Sequence, residues 1–294
     1  MKIASNKIRD ILRFFREELI DSYEKDELES IIAYCFEVFL NMNRTTMLIR
    51  SDDTVTESEL LKFNFAIKDL KKHKPIQYIL GQANFYNLKF TVNEHVLIPR
   101  PETEELVHLI IKECKDKNTG NREFKILDIG TGSGCIPIAL KKNLPFLKMF
   151  SIDISKEAIE VAEKNSKLNL VEVEYIVDSI LQPKSKISDQ DFLIDIIVSN
   201  PPYICLSEKE NMNRNVVDHE PHLALFVEDN DPLLFYSAIS DFALKHLNKN
   251  GRIYLEINQA LGPETMLLFE NKGFKNIELI KDISDNYRIL RGNI

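Results

Sequence analysis

Residues 125 to 136 read KILDIGTGSGCI: a short apolar run ending in Asp128 and Ile129, then Gly130, Thr131, Gly132, Ser133 and Gly134, then the start of an apolar helix. A strand, a glycine-rich turn and a helix in that order let the backbone bend sharply and approach a ligand closely, because glycine takes left-handed angles at no steric cost. The spacing is Gly-x-Gly-x-Gly, and Cys135 stands where a dinucleotide fingerprint needs its third glycine, so nothing here requires a pyrophosphate.

Downstream the pattern alternates. Helices are expected at 136–142, 156–168, 231–247 and 263–270, and strands at 148–152, 173–177, 194–199, 252–257, 277–280 and 287–290. With 125–129 this makes an α/β, Rossmann-like fold: a mostly parallel seven-stranded sheet covered on both faces. The last two strands are joined by too short a link for a parallel crossover, so an antiparallel edge strand is expected to end the sheet. Residues 204–231 contain only Pro221 and show no clear period, which suggests a loop of 28 residues over the carboxyl edge of the sheet, acting as a lid that orders on substrate binding.

Upstream, residues 1–74 contain neither Gly nor Pro. Ile8, Ile11, Leu12, Phe15 and Leu19 repeat at helical spacing, as do Ile31, Ile32, Cys35, Phe36, Phe39 and Leu40. A third helix is expected from a capping box at Thr54 and Glu57, continuing through Leu60, Leu61, Phe65 and Ile67 towards Leu70. The expected organisation is an N-terminal helical bundle at 1–74, a linker at 75–98 with a β-hairpin between Tyr78 and Val92, and a catalytic domain at 99–294. In that domain Pro99 and Pro101 pin an extended stretch before a helix to about Lys117.

Composition narrows the classes. At 44% hydrophobic and 29% charged the chain is globular, and no apolar run is long enough to span a membrane. Charges at Lys7, Arg9, Asp10 and Arg13 interrupt the start, so a secretory signal is not expected and the location is expected to be cytoplasmic. Cysteines at 35, 114, 135 and 205 have no short pairwise spacing, and no metal site is expected. Net charge is −8; residues 1–74 carry 13 basic and 14 acidic side chains, so −7 falls on the remainder and direct nucleic-acid binding is not expected.

An acid immediately before the first glycine suits a cationic ligand, and S-adenosylmethionine carries an ammonium and a sulfonium, with a carboxylate that could use the helix N-terminus. Asp153, 23 residues after Gly130, ends the second strand, where an acid can accept hydrogen bonds from both ribose hydroxyls. Asp178 and Ser179 close the third strand at the same edge, within reach of an adenine.

The fourth strand leaves the sheet into Asn200-Pro201-Pro202-Tyr203. Consecutive prolines fix φ and lack N–H groups, leaving the Pro201 carbonyl to accept from outside the chain beside the Asn200 amide oxygen. Two rigid acceptors suit a planar NH2 group, whose nitrogen is a poor nucleophile until its hydrogens are drawn away and it is held in line with a methyl donor. Tyr203 can stack on that group.

Asp-x-Gly-x-Gly-x-Gly with Asn-Pro-Pro-Tyr resembles a class I S-adenosylmethionine-dependent methyltransferase acting on planar amino nitrogen. LIPRPETE at 97–104, PIQYILG at 75–81, HEPHLAL at 219–225 and the Gly-free, Pro-free helical domain resemble the HemK/PrmC family, the peptide chain release factor glutamine methyltransferases. The resemblance implies methylation of the glutamine side-chain amide in the Gly-Gly-Gln motif of class I release factors by a monomer, with the helical domain contributing to substrate binding. It implies that Asn200, Pro201, Pro202 and Tyr203 hold the amide and that Asp128, Ile129, Gly130, Thr131, Gly132, Asp153, Asp178, Ser179 and Asn200 line the cofactor site. Arg100 is similar to a family position near the active-site mouth, with substrate or loop anchoring expected against an ordinary ion pair with Glu102 or Glu104. Some relatives carry an aromatic residue where Ser179 and Ile180 stand, so adenine stacking must come from elsewhere. Related ribosomal-protein glutamine methyltransferases usually read IPRSP where this chain reads IPRPE, which favours the release factor; an adenine-specific DNA methyltransferase shares both central motifs but would need a basic face or a target-recognition domain.

Overall fold

The computed structural model describes residues 5–115 and 123–294, so the expected continuation of a helix to Lys117 lies outside the described residues. The chain divides into two compact units, Met1–Gly81 with Asn213–His219, and Gln82–Met212 with Glu220–Ile294.

The first unit is helical: α1 (Ile8–Leu19), α2 (Lys25–Leu40), α3 (Arg44–Ile49), α4 (Glu57–Leu70) and α5 (Ile76–Leu80). The five apolar positions read for α1 are all buried, as are Ile31, Ile32, Cys35 and Phe36 of α2. The third expected helix is corrected in register. Thr54 lies opposite Lys7 in an isolated antiparallel bridge, held by Ile8 N–H to the Asp53 carbonyl and Val55 N–H to the Asn6 carbonyl, and the capping box falls two residues later: Glu59 N–H donates to Thr56 Oγ1 at 3.2 Å and Thr56 N–H to Glu59 Oε2 at 2.8 Å. The inward face of α4 is therefore Phe63, Ala66, Ile67 and Leu70, while Leu61 and Phe65 are exposed. Phe63 packs against Phe36 at 4.6 Å and edge-on to Phe15 at 6.0 Å between ring centroids, contacts worth about 0.5–1.5 kcal/mol each beyond area burial.

The second unit begins with a hairpin, β1 (Gln82–Phe85) and β2 (Leu88–Thr91), closed by Tyr86 and Asn87 with φ of 48° and 59°. Two consecutive left-handed residues match the right-handed twist of the strands they join. Then follow α6 (Pro101–Cys114), β3 (Phe124–Ile129), α7 (Cys135–Asn143), β4 (Leu147–Asp153), α8 (Lys156–Asn169), β5 (Glu174–Val177) and β6 (Ile194–Ser199). The chain closes with β7 (Ile204–Cys205), α9 (Arg214–Val217), β8 (Phe226–Val227), α10 (Leu234–His246), β9 (Leu247–Glu256), α11 (Gly262–Asn271), β10 (Lys275–Lys281) and β11 (Tyr287–Asn293).

Seven strands form one sheet in the order β10-β11-β9-β6-β3-β4-β5. Strand β11 is antiparallel to both its neighbours and lies one place in from the edge; β10, the edge strand, runs with the rest. The expected antiparallel edge strand is therefore corrected to an antiparallel strand one place in, because a short link is satisfied whichever of its two strands inserts beside β9. Alternate residues of the central strands enter two cores: Ile126, Met149, Ile196 and Val198 on one face with α6, α7 and the hairpin phenylalanines, and Leu127, Ile129, Phe150 and Ile197 on the other with α10 and α11. The connection at 204–231 is also corrected. It is built of short elements, including a parallel β7–β8 pair and helices of three to six residues, each too brief to leave a period in the sequence.

Candidate active site

Strand order reverses between β3 and β6, and at such a switch point the loops beyond the strand ends part to leave a crevice. A cavity of about 390 Å³ opens there, within the range that suits a small organic ligand. Its wall takes Ile129 to Ser133 from the glycine turn, Asp153 and Ile154 from the end of β4, Asp178 to Leu181 beyond β5, and Ser199 to Pro202 from the end of β6.

The glycine turn is fixed from below. Gly130 and Thr131 donate their N–H groups to the Ile152 carbonyl at 2.9 and 3.1 Å, and Ser199 Oγ donates to the Ile129 carbonyl at 2.6 Å. Gly130 and Gly132 both have positive φ, and a Cβ built on either would meet nothing within 4 Å, so the backbone there faces open space. Gly134 is different: at φ +79° its missing Cβ would lie 3.0 Å from Ala162, Ile138 and the Tyr175 hydroxyl.

Asp128 lies beneath this turn, fully buried, and is not part of the cavity wall. Its Oδ2 accepts from Ser151 Oγ at 2.8 Å while Oδ1 has no hydrogen-bond partner. Burial pushes its pKa up to about 7, partly offset by the Ser151 hydroxyl. Asp153 is on the wall. It accepts Gly132 N–H on Oδ2 at 2.8 Å and Ser155 N–H on Oδ1 at 2.9 Å, and burial raises its pKa despite these bonds. Each oxygen retains a second lone pair for a ligand.

Asp178 is committed to its own loop, accepting the N–H groups of Ser179, Lys184 and Ser185. Burial opposes ionisation, but those bonds outweigh it and hold the carboxyl below its ordinary range. Ser179 borders the cavity, and so do the aliphatic side chains of Ile154, Ile180 and Leu181 and the ring of Phe235.

Asn200 to Pro202 reach the cavity, whereas Tyr203 turns its hydroxyl away to Glu256 Oε1 at 3.0 Å. Asn200 Nδ2 donates to Thr103 Oγ1 at 3.2 Å, and Thr103 Oγ1 donates to Glu256 Oε2 at 2.7 Å. Burial raises the Glu256 pKa, partly offset by the Thr103 and Tyr203 hydroxyls. Arg100 pairs with neither Glu102 nor Glu104. Its Nη2 donates to Glu220 Oε1 at 2.6 Å, and the Glu220 side chain, only 1% exposed, also accepts Ile98 N–H at 3.1 Å, so Arg100 anchors the loop that begins at Glu220.

Residues 10–81 match the PrmC N-terminal domain family and residues 107–222 the Methyltransferase small domain family. The chain is 48% identical to the release factor glutamine methyltransferase of Flavobacterium psychrophilum, over 95% of this chain and 96% of that one. The chain belongs to the release factor glutamine methyltransferase family. A second member, from Bacteroides thetaiotaomicron, is 40% identical over 96% of this chain and 99% of its own length. Among solved structures, a methyltransferase from Pyrococcus furiosus superposes with a TM-score of 0.50 at 16% identity, covering 81% of this chain and 98% of that one, a likeness of fold alone.

Four residues of the candidate site were not singled out in the sequence, although Thr103 lies within LIPRPETE. Thr103 and Glu256 hold Asn200 and Tyr203; Asn258 Nδ2 donates to the Tyr203 carbonyl at 3.1 Å. Asn165, buried on α8, donates through Nδ2 to the carbonyls of Thr91 and Ser133 and accepts Thr91 N–H on Oδ1, joining the hairpin to the glycine turn. Buried polar residues within an apolar pattern are the one hint that could have found Asn165.

Proposed function

We propose that this chain transfers a methyl group from S-adenosylmethionine to the side-chain amide nitrogen of the glutamine in the Gly-Gly-Gln motif of class I release factors. The observation that carries the reading is Asn200 at the cavity wall with its nitrogen engaged by Thr103, which leaves Oδ1 and the adjacent Pro201 carbonyl as the two acceptors for an NH2 group.

The residues present fit the cofactor. Open space above Gly130 and Gly132 admits a ligand against the backbone, Asp153 has lone pairs for ribose hydroxyls, and the N-terminus of α7 suits a carboxylate. Asp128 acts from below the turn, and Asp178 by shaping the 178–185 loop beside the adenine end. Ile154, Ile180 and Leu181 supply apolar surface where some relatives carry an aromatic residue, and Phe235 lines the same cavity. When bound, S-adenosylmethionine supplies an electrophilic methyl on a sulfonium. Asn200 and Pro201 hold both amide hydrogens, Pro202 keeps the turn rigid, and Tyr203 packs behind it. The amide nitrogen gains the methyl and gives up one hydrogen as a proton to water, so no side chain need act as a base. The first unit contributes to gripping the release factor.

The test is transfer of labelled methyl to a purified class I release factor, with its Gly-Gly-Gln changed to Gly-Gly-Ala and with ribosomal protein and DNA as further acceptors. Label on the native factor alone supports the reading; label on ribosomal protein or DNA, or none anywhere, overturns it. Asn200→Ala is expected to lower turnover about 100-fold while leaving cofactor affinity nearly intact, and equal loss of both would move Asn200 into the cofactor shell.

A further inference from the structure

We propose that Thr103, held by Glu256, is a positioning residue that decides which end of the Asn200 amide faces the substrate. This rests on the reading that Asn200 holds the substrate amide.

Thr103 is in the first turn of α6 and 2% exposed, and Glu256 ends β9 and is 1% exposed. A threonine hydroxyl has one hydrogen. At 2.7 Å from a carboxylate oxygen that hydrogen goes to Glu256, so only a lone pair is left towards Asn200. Asn200 must therefore present Nδ2 to Thr103, as it does at 3.2 Å, and the planar amide then carries Oδ1 on its opposite side. Rotation of the amide by half a turn would set an NH2 group against the NH2 group of the substrate, donor against donor. Without the threonine hydroxyl the two orientations lose their principal distinction.

Glu256 sets the direction of the whole chain because its second oxygen accepts from Tyr203, leaving it acceptor to both hydroxyls. The strand ends thus pass a polarity from a buried carboxylate through Thr103 to Asn200. Neither Thr103 nor Glu256 touches the transferred methyl in this scheme; both act through Asn200.

The experiment compares wild type, Thr103→Val and Thr103→Ser in methyl transfer to the release factor, with cofactor affinity measured by calorimetry. Valine keeps the shape and removes the hydroxyl. The expected result is a kcat loss of about 10- to 100-fold in Thr103→Val with cofactor affinity unchanged, and recovery to within about threefold of wild type in Thr103→Ser. Wild-type kcat in Thr103→Val, or a serine variant as slow as the valine one, overturns the inference. Should Thr103→Val fail to bind cofactor, Glu256→Gln takes its place, since an amide oxygen and NH2 cannot accept from both hydroxyls as the carboxylate does; unchanged kcat there overturns the inference equally. A wild type inactive on the release factor removes the functional reading and this inference with it, whereas an active wild type with an active Thr103→Val removes the inference alone.

Discussion

Tyr203 Oη donates to Glu256 Oε1 at 3.0 Å, tying the last residue of the Asn-Pro-Pro-Tyr turn to a carboxylate at the end of β9. Tyr203→Phe keeps the ring and removes one of the two hydroxyl donors on a buried acid. The expected cost is about 1–2 kcal/mol of stability, read from urea midpoints. A midpoint equal to wild type would show that the bond contributes nothing net.

The three glycines of the turn should separate into two kinds. Gly134→Ala drives a Cβ into Ala162, Ile138 and Tyr175 at a left-handed backbone position, and should destabilise the protein by about 2–4 kcal/mol. Gly132→Ala meets open space, so its loss of stability should be nearer 1 kcal/mol and its main effect a fall in cofactor affinity. Thermal unfolding with and without cofactor distinguishes them; the same profile for both variants would contradict the assignment.

Asp128 makes stability depend on pH. Its carboxyl titrates near 4 when unfolded and at about 7 when folded, so between those values the folded chain holds more protons and stability falls as pH rises, by up to about 1.4 kcal/mol per pH unit. The cost is absent below about pH 4 and complete above about pH 7. Asp128→Asn should remove this slope, gaining on wild type as pH rises from about 4 to about 7 in urea unfolding of the cofactor-free protein. Parallel curves would sink the argument.

Arg100→Ala strands the Glu220 carboxylate, which is buried and keeps only Ile98 N–H. A loss of about 2–4 kcal/mol is expected, and Glu220→Gln in the same chain should restore part of it. Destabilisation by Arg100→Ala that is just as large with Gln at 220 would show that the arginine acts through packing instead.

What could be read in the sequence was what repeats or sits close together. The α1 face, the strand-turn-helix at Gly130 and the Asn-Pro-Pro-Tyr turn are each local, set by residues within a dozen positions. What could not be read were partners far apart. Thr103 and Glu256 are 153 positions apart and Arg100 and Glu220 are 120 apart, and no local period marks either pair. The Thr54 reading failed for a related reason: the same threonine-to-glutamate spacing occurs at Thr56, and the choice was made by a bridge to Lys7. The place of β11 was equally hidden, since a short link is satisfied whichever strand inserts.

The second excursion of the chain into the helical unit limits how the protein can be taken apart. Asn213–His219 comes after the Asn-Pro-Pro-Tyr turn in sequence yet belongs with Met1–Gly81, where His219 Nε2 meets the Lys72 carbonyl at 3.0 Å. The amino-terminal unit is thus not a bead on a string that a single crossover could exchange. A chimaera that trades residues 1–81 alone inherits seven residues fitted to the discarded bundle, so heredity of the two segments is coupled, and a working hybrid must import both.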